Sequence, residues 1–139
     1  MIRRNLITLL GSAMVAWPLM AQAHAIDCPA TAPATWGVGG AKLSGVEILS
    51  QPKGEKIDEA APPSLMPDET KIADGTLRQY WTMNDTGAGW DFFVDCHYAG
   101  TTRILRIEAD GVKRCDRAIT HYRKSGDPDP RSVDRLSCD

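Results

Sequence analysis

The chain has 139 residues and carries 16 Lys and Arg against 18 Asp and Glu, a formal net charge of −2. That balance disfavours a nucleic-acid partner, since phosphate backbones are bound by clustered positive charge. Four cysteines, all at or beyond position 28, point instead to an exported chain stapled by disulfides.

The amino terminus is read first because it sets the compartment. Arg3 and Arg4 precede an apolar run, Leu6 to Met20, with no charged residue, and Ala21-Gln22-Ala23-His24-Ala25 then offers two overlapping small-x-small triplets. Basic, apolar and small in that order is the pattern of a secretory leader. The apolar run is interrupted by Gly11 and Pro18 and is shorter than the ~20 residues a spanning helix needs. Residues 1–25 are therefore expected to be a signal peptide, cleaved after Ala25, with no stable membrane anchor left behind. Lipidation at Cys28 is not expected, because the acidic Asp27 stands where a small or apolar residue is wanted. Residues 26–139 are enough for one modest core, and losing Arg3 and Arg4 takes their net charge from −2 to −4. The basic residues concentrate in Arg103 to Asp139, a mild asymmetry read as solvated strand faces.

Beyond the leader, Lys42 to Leu49 reads as a strand. Ser50 to Gly75, with Pro52, Pro62, Pro63 and Pro67, reads as a long surface connection holding a short helical turn at Lys56 to Ala60. Thr76 to Met83 is a strand with Leu77, Gln79, Trp81 and Met83 on one side. Trp90 to Tyr98 has the clearest period of two: Trp90, Phe92, Val94, Cys96 and Tyr98 face the core, and Asp91, Phe93, Asp95 and His97 face away. Ala99-Gly100-Thr101 turns the chain into Thr102 to Glu108. Asp110-Gly111 is a hairpin signal leading into Val112 to Tyr122. A loop bearing Pro128 and Pro130 then leads to a last strand, Ser132 to Cys138. The expected fold is mainly β: a small antiparallel meander of five to six strands with long loops and two disulfides.

Facing residues of a hairpin lie equidistant from its turn, which tests the cysteine pairings. Cys96 and Leu105 are equidistant from Gly100-Thr101, and Arg106 and Cys115 from Asp110-Gly111. Cys96 and Cys115 would then flank one middle strand, about 9.5 Å apart, too far for a bridge whose Cα atoms sit roughly 4.4–6.8 Å apart. Cys115 and Cys138 are equidistant from the centre of the last loop, between Gly126 and Asp127. The expected bridges are Cys115–Cys138 and, by elimination, Cys28–Cys96.

Taken together, Cys28-Pro29, Gly45-Val46, Leu65, Pro67-Asp68, Trp81, Cys96-His97-Tyr98-Ala99-Gly100-Thr101, Cys115 and Cys138 resemble a family of small exported proteins of Gram-negative bacteria, marked by a four-cysteine frame and a C-x-Y-x-G-T turn. The resemblance spans nearly all of residues 26–139 and implies a periplasmic, crosslinked domain. It implies no particular activity.

Enzyme constellations are scarce. His97 and His121 are the two histidines beyond the leader, and no Ser or Cys stands in a recognisable nucleophile pattern. The cysteines are separated by 68, 19 and 23 positions, unlike the short C-x-x-C spacing of a zinc site, so neither metal nor cofactor is expected. Trp81, Trp90, Phe92 and Tyr98 are assigned to the core. Asp91, Phe93, Asp95 and His97 are the candidate contact residues, and the loops Ser50 to Gly75 and Tyr122 to Arg131 the candidate recognition loops. The leading expectation is a non-enzymatic periplasmic binding protein with a protein or glycan partner, of the kind that inhibits an envelope hydrolase or gives immunity to a delivered toxin. A small hydrolase using surface carboxylates such as Asp91 and Asp95 is the second reading, and a structural envelope component the third.

Overall fold

The computed structural model describes residues 25–83 and 89–139; the expected leader, save Ala25, lies outside them. These residues form eight strands: β1 (Ile26–Asp27), β2 (Leu43–Pro52), β3 (Glu69–Ala73), β4 (Thr76–Thr82), β5 (Trp90–Tyr98), β6 (Ile104–Glu108), β7 (Arg114–Thr120) and β8 (Val133–Cys138). The chain is mainly β, and every strand pairing is antiparallel. There are two sheets rather than one meander: a five-stranded sheet in the order β1-β8-β7-β4-β3 and a three-stranded sheet in the order β2-β5-β6.

The departure from a meander is made at Asp110-Gly111. Val112 N–H donates to the Ala109 carbonyl at 3.2 Å, and Gly111 has φ 80° while Asp110 is not in the positive-φ region. That is a type II arrangement, which splays the flanking strands instead of pairing them. Ala109 and Val112 are buried at this corner, so β6 and β7 pass into different sheets and Arg106 does not face Cys115. A second Asp-Gly makes the tight hairpin instead. Asp74 (φ 53°) and Gly75 (φ 73°) are both left-handed between the facing Ala73 and Thr76, the two-residue primed turn that matches strand twist. The expected Ser50 to Gly75 connection thus ends in β3 and its turn.

The inner faces alternate as expected and form the core. Val46, Ile48, Phe92, Val94 and Cys96 of the smaller sheet meet Trp81, Cys115, Leu136 and Cys138 of the larger one, with Met83 just beyond β4. Trp90 is an exception: at the first residue of β5, facing Pro52 at the end of the ladder, it is 46 % exposed rather than in the core. The Lys56 to Ala60 segment is not helical. Asp58 captures it, its carbonyl accepting from Ala61 N–H at 3.2 Å and its carboxylate from Ala60 N–H at 2.9 Å, a side-chain-to-backbone turn that competes with helix. The helical turn among the described residues is a 3₁₀ turn at Ala34–Trp36.

Both bridges are formed, Cys28–Cys96 with Cα atoms 5.8 Å apart and Cys115–Cys138 with Cα atoms 4.0 Å apart. Their roles differ. Cys115 and Cys138 face each other across β7 and β8 within one sheet. Cys28 follows β1, an edge strand of the larger sheet, and is joined to the central strand of the smaller one, so this bridge sews the layers together. Two disulfides mark an oxidising, extracytoplasmic compartment.

Candidate functional site

Alternation in β5 and its register with both neighbours place the four candidate contact residues on the outer face of the three-stranded sheet. Facing pairs there are Gly45 with His97, Glu47 with Asp95, Leu49 with Phe93, and Gln51 with Asp91. From β6, Arg106 faces Asp95 and Glu108 faces Phe93. This face is not open. Leu49 is fully buried on it; the connection that follows β2 bridges its free edge, Leu65 N–H donating to the Ile48 carbonyl at 2.7 Å and Ser50 N–H to the Pro63 carbonyl at 3.0 Å, and reaches over the face where Glu59 meets Arg106. Phe93, beside Leu49, is correspondingly half-buried.

The four candidates part company in role. Asp91 accepts from Gly54 N–H at 2.9 Å and holds the turn after β2. Asp95 is 1 % exposed, a buried carboxylate that requires a partner. Arg106 supplies it with a fork of two hydrogen bonds, Nε to Oδ1 at 2.8 Å and NH2 to Oδ2 at 2.7 Å. The same guanidinium reaches Glu59 in the covering connection. Its two carboxylate partners, Asp95 foremost, hold Arg106 in its charged form well above the ordinary range, and Arg106 in turn lowers Glu59. His97 lies beside this network with Nε2 4.0 Å from Glu47 Oε2. That Nε2 is buried and has no hydrogen-bond partner. Glu47, Glu59 and Arg106 were not among the sequence candidates, although the Gly100-Thr101 turn that sets Cys96 opposite Leu105 also sets Asp95 opposite Arg106.

A second surface was missed because β3 was missed. The outer face of the five-stranded sheet forms a trough of about 750 Å³. Across it, Lys71 faces Arg78, Arg78 faces Ala118, and Ala118 faces Arg135, so one register row runs from β3 to β8 with three cations and a small gap. All three cations are exposed, and none is in an ion pair among the described residues. The next row holds Glu69, Tyr80, Asp116, Ser137 and Asp27. Arg114 lies 4.2 Å over the Tyr80 ring and forks onto Asp116 at 2.9 Å through both bonds, so ring, guanidinium and carboxylate form one packed group. Like charges directly opposite in a sheet are unfavourable, so Lys71 against Arg78 is a cost that strand pairing alone does not explain.

The Tyr122 to Arg131 loop borders a third hollow, about 480 Å³, with Lys42, Ser44 and His121 on its rim. Its base is fixed by Asp129, which accepts from Arg131 Nε at 3.2 Å, NH2 at 3.0 Å and backbone N–H at 2.9 Å. Those bonds, the side-chain ones first, hold the Asp129 carboxyl well below the usual carboxylate range. No protein-family model matches this chain, and neither a curated protein nor a solved structure matches it.

Proposed function

We propose that the chain is a binding protein of the bacterial envelope, exported by its leader into the periplasm, and that it recognises an acidic surface of a partner protein through the trough of its larger sheet. The single observation that carries this reading is the row Lys71–Arg78–Ala118–Arg135. In a chain of net charge −2, three cations with no ion-pair partner among the described residues share one face, held by strand geometry over roughly 14 Å, three strand spacings. Guanidinium forks recognise carboxylates in a bidentate manner, and Ala118 leaves room between two of them for a partner's side chain. The Tyr80 ring, braced by Arg114, supplies a flat apolar contact of the kind enriched at interfaces. The crosslinked frame supports the reading because recognition loses least to ordering entropy when the surface is already fixed. Inhibitors of envelope hydrolases and immunity proteins share this plan, and that comparison is analogy.

The test is capture from a periplasmic extract by the oxidised protein, repeated with an Arg78→Glu/Arg135→Glu variant. One stoichiometric partner should be retained by the wild type, released as salt approaches ~1 M, where the screening length falls to about 3 Å, and lost by the variant. Both arginines are exposed, so the variant should keep its unfolding temperature. Equal capture by the variant, or turnover of a substrate by the protein alone, would sink the reading.

A further inference from the structure

The structure assigns a second site, independent of the trough: Glu47, Asp95 and His97 form a binding site for a divalent transition-metal cation, with zinc as the fitting probe. One donor atom from each of the three lies within 4.8 Å of the other two. Tetrahedral zinc with bonds of about 2.0–2.2 Å holds its ligands roughly 3.4 Å apart, so the 4.0 Å between His97 Nε2 and Glu47 Oε2 must close by about 0.6 Å, and any separation at the 4.8 Å limit of the cluster by about 1.4 Å. Glu47 is the exposed end of the cluster, with 43 % of its side chain accessible, and its weak contact with Ser64 Oγ at 3.4 Å does not fix it. Imidazole with two carboxylates is a donor set for zinc and its first-row neighbours rather than for magnesium or calcium.

Three features of the apo arrangement are costs that such an ion removes. His97 Nε2 is shielded from solvent and unpartnered, an unfavourable state for a nitrogen that must donate or accept. Glu47 and Asp95 face each other directly across β2 and β5, where like charges repel. The cluster is also acidic: Arg106 pairs with Asp95 and Glu59, Lys56 acts on Glu59, and Glu47 has no Lys or Arg ion-pair partner among the described residues, a negative charge that a divalent cation would offset. Arg106 does not block the site. It occupies one lone pair on each Asp95 oxygen, a carboxylate oxygen has two, and a ligating carboxylate is ordinarily held by an outer hydrogen-bond donor in this way. Because Asp95 and His97 are two residues apart on one strand and Glu47 is in register on the next, the donors are set by the sheet itself. Three protein ligands leave one coordination position, on the accessible Glu47 side, for water or for a donor from a bound partner.

The experiment uses untagged, oxidised protein stripped with a chelator, titrated with zinc chloride by calorimetry and followed in parallel by thermal unfolding. One zinc per chain and a rise in unfolding temperature are expected. His97→Gln and Glu47→Gln should each weaken binding tenfold or more, and His121→Gln should leave it unchanged. The accessible Glu47→Gln variant decides the matter if His97→Gln alters the far-ultraviolet circular dichroism. Absence of stoichiometric zinc uptake by the wild type, or uptake that survives Glu47→Gln, overturns the assignment. Loss of partner capture with zinc binding intact would bear on the trough alone.

Discussion

Replacing each disulfide by an alanine pair separates the two kinds of crosslink. Cys28–Cys96 closes 68 residues and Cys115–Cys138 closes 23. In the chain-entropy treatment these loops correspond to about 4.4 and about 3.4 kcal/mol at 25 °C, together about 8 kcal/mol against the roughly 5–15 kcal/mol that holds a typical domain folded. The ordering should be reinforced by position. Cys28→Ala/Cys96→Ala unlinks the sheets and frees the segment after β1, whereas Cys115→Ala/Cys138→Ala removes a link between strands that remain paired over six facing positions, Cys115 to Thr120. Urea unfolding of the oxidised wild type and both variants should show losses of about 4 and about 3 kcal/mol, the long-loop variant being the less stable. Amide exchange should quicken around residues 26–32 in the first variant and not in the second. Losses below about 1 kcal/mol for both variants would refute the view that oxidation holds this fold. A greater loss for the short loop would refute the reasoning from loop length.

Arg106→Met leaves Asp95 buried without its hydrogen-bond fork and should cost about 3 kcal/mol in urea unfolding, the low end for removing one partner of a buried pair because Arg106 is 26 % exposed. The double variant Asp95→Leu/Arg106→Met should recover most of that loss, and a single-variant cost under about 1 kcal/mol would show that the pair is not desolvated. Asp129 has its folded pKa lowered by Arg131, so its contribution is complete above the unfolded value of about 3.9 and fades as pH falls through the folded value. Unfolding temperature should therefore drop below about pH 4, and Asp129→Asn should flatten that acid limb; an unchanged slope would contradict the assignment. Gly75→Ala, at φ 73°, should cost about 1 kcal/mol or more. Gly45→Ala, whose Cβ would meet His97 Cβ at 3.5 Å in ordinary contact, should be neutral or stabilising by about 0.5 kcal/mol, both read by thermal unfolding.

Much of the fold was legible because the strongest signals were periodic. Trp90–Tyr98 has the expected bounds of β5, and its facing residues from Phe93–Glu108 to His97–Ile104 follow the Gly100-Thr101 turn. Turn chemistry was ambiguous where periodicity ran out. Asp-Gly occurs at 74–75 and at 110–111, and the dipeptide does not state whether both residues or glycine alone will take positive φ. Burial of Ala109 and Val112 decides it at the second site, a tertiary effect invisible in four residues. Reading Glu69–Ala73 as loop was natural, since all five of its residues are exposed and an edge strand with Glu69 and Lys71 lacks the alternation that marks burial. The same omission hid the trough, because Lys71 meets Arg78 only once β3 is paired. Asp95 and His97 lie on the polar side of β5, the side that alternation alone assigns to solvent and to contacts. That side is covered, so Asp95 became a buried ion-pair partner, and Glu47 joined them only through a register with β2 that no local signal supplies.

The pairing of Ile26 with Cys138 and of Asp27 with Ser137 makes one edge of the larger sheet the joint product of two distant stretches of sequence. The β1 edge of the larger sheet depends on β8, which lies between β1 and β7, whereas the opposite edge is β3. Cys28, next to β1, is bridged to Cys96 in the smaller sheet, so the β1 edge is tied to both layers. Non-local pairing of this sort is slow to nucleate, so the β1–β8 pairing should form after the local hairpins. β8 then acts as the latch, holding β1 to β7.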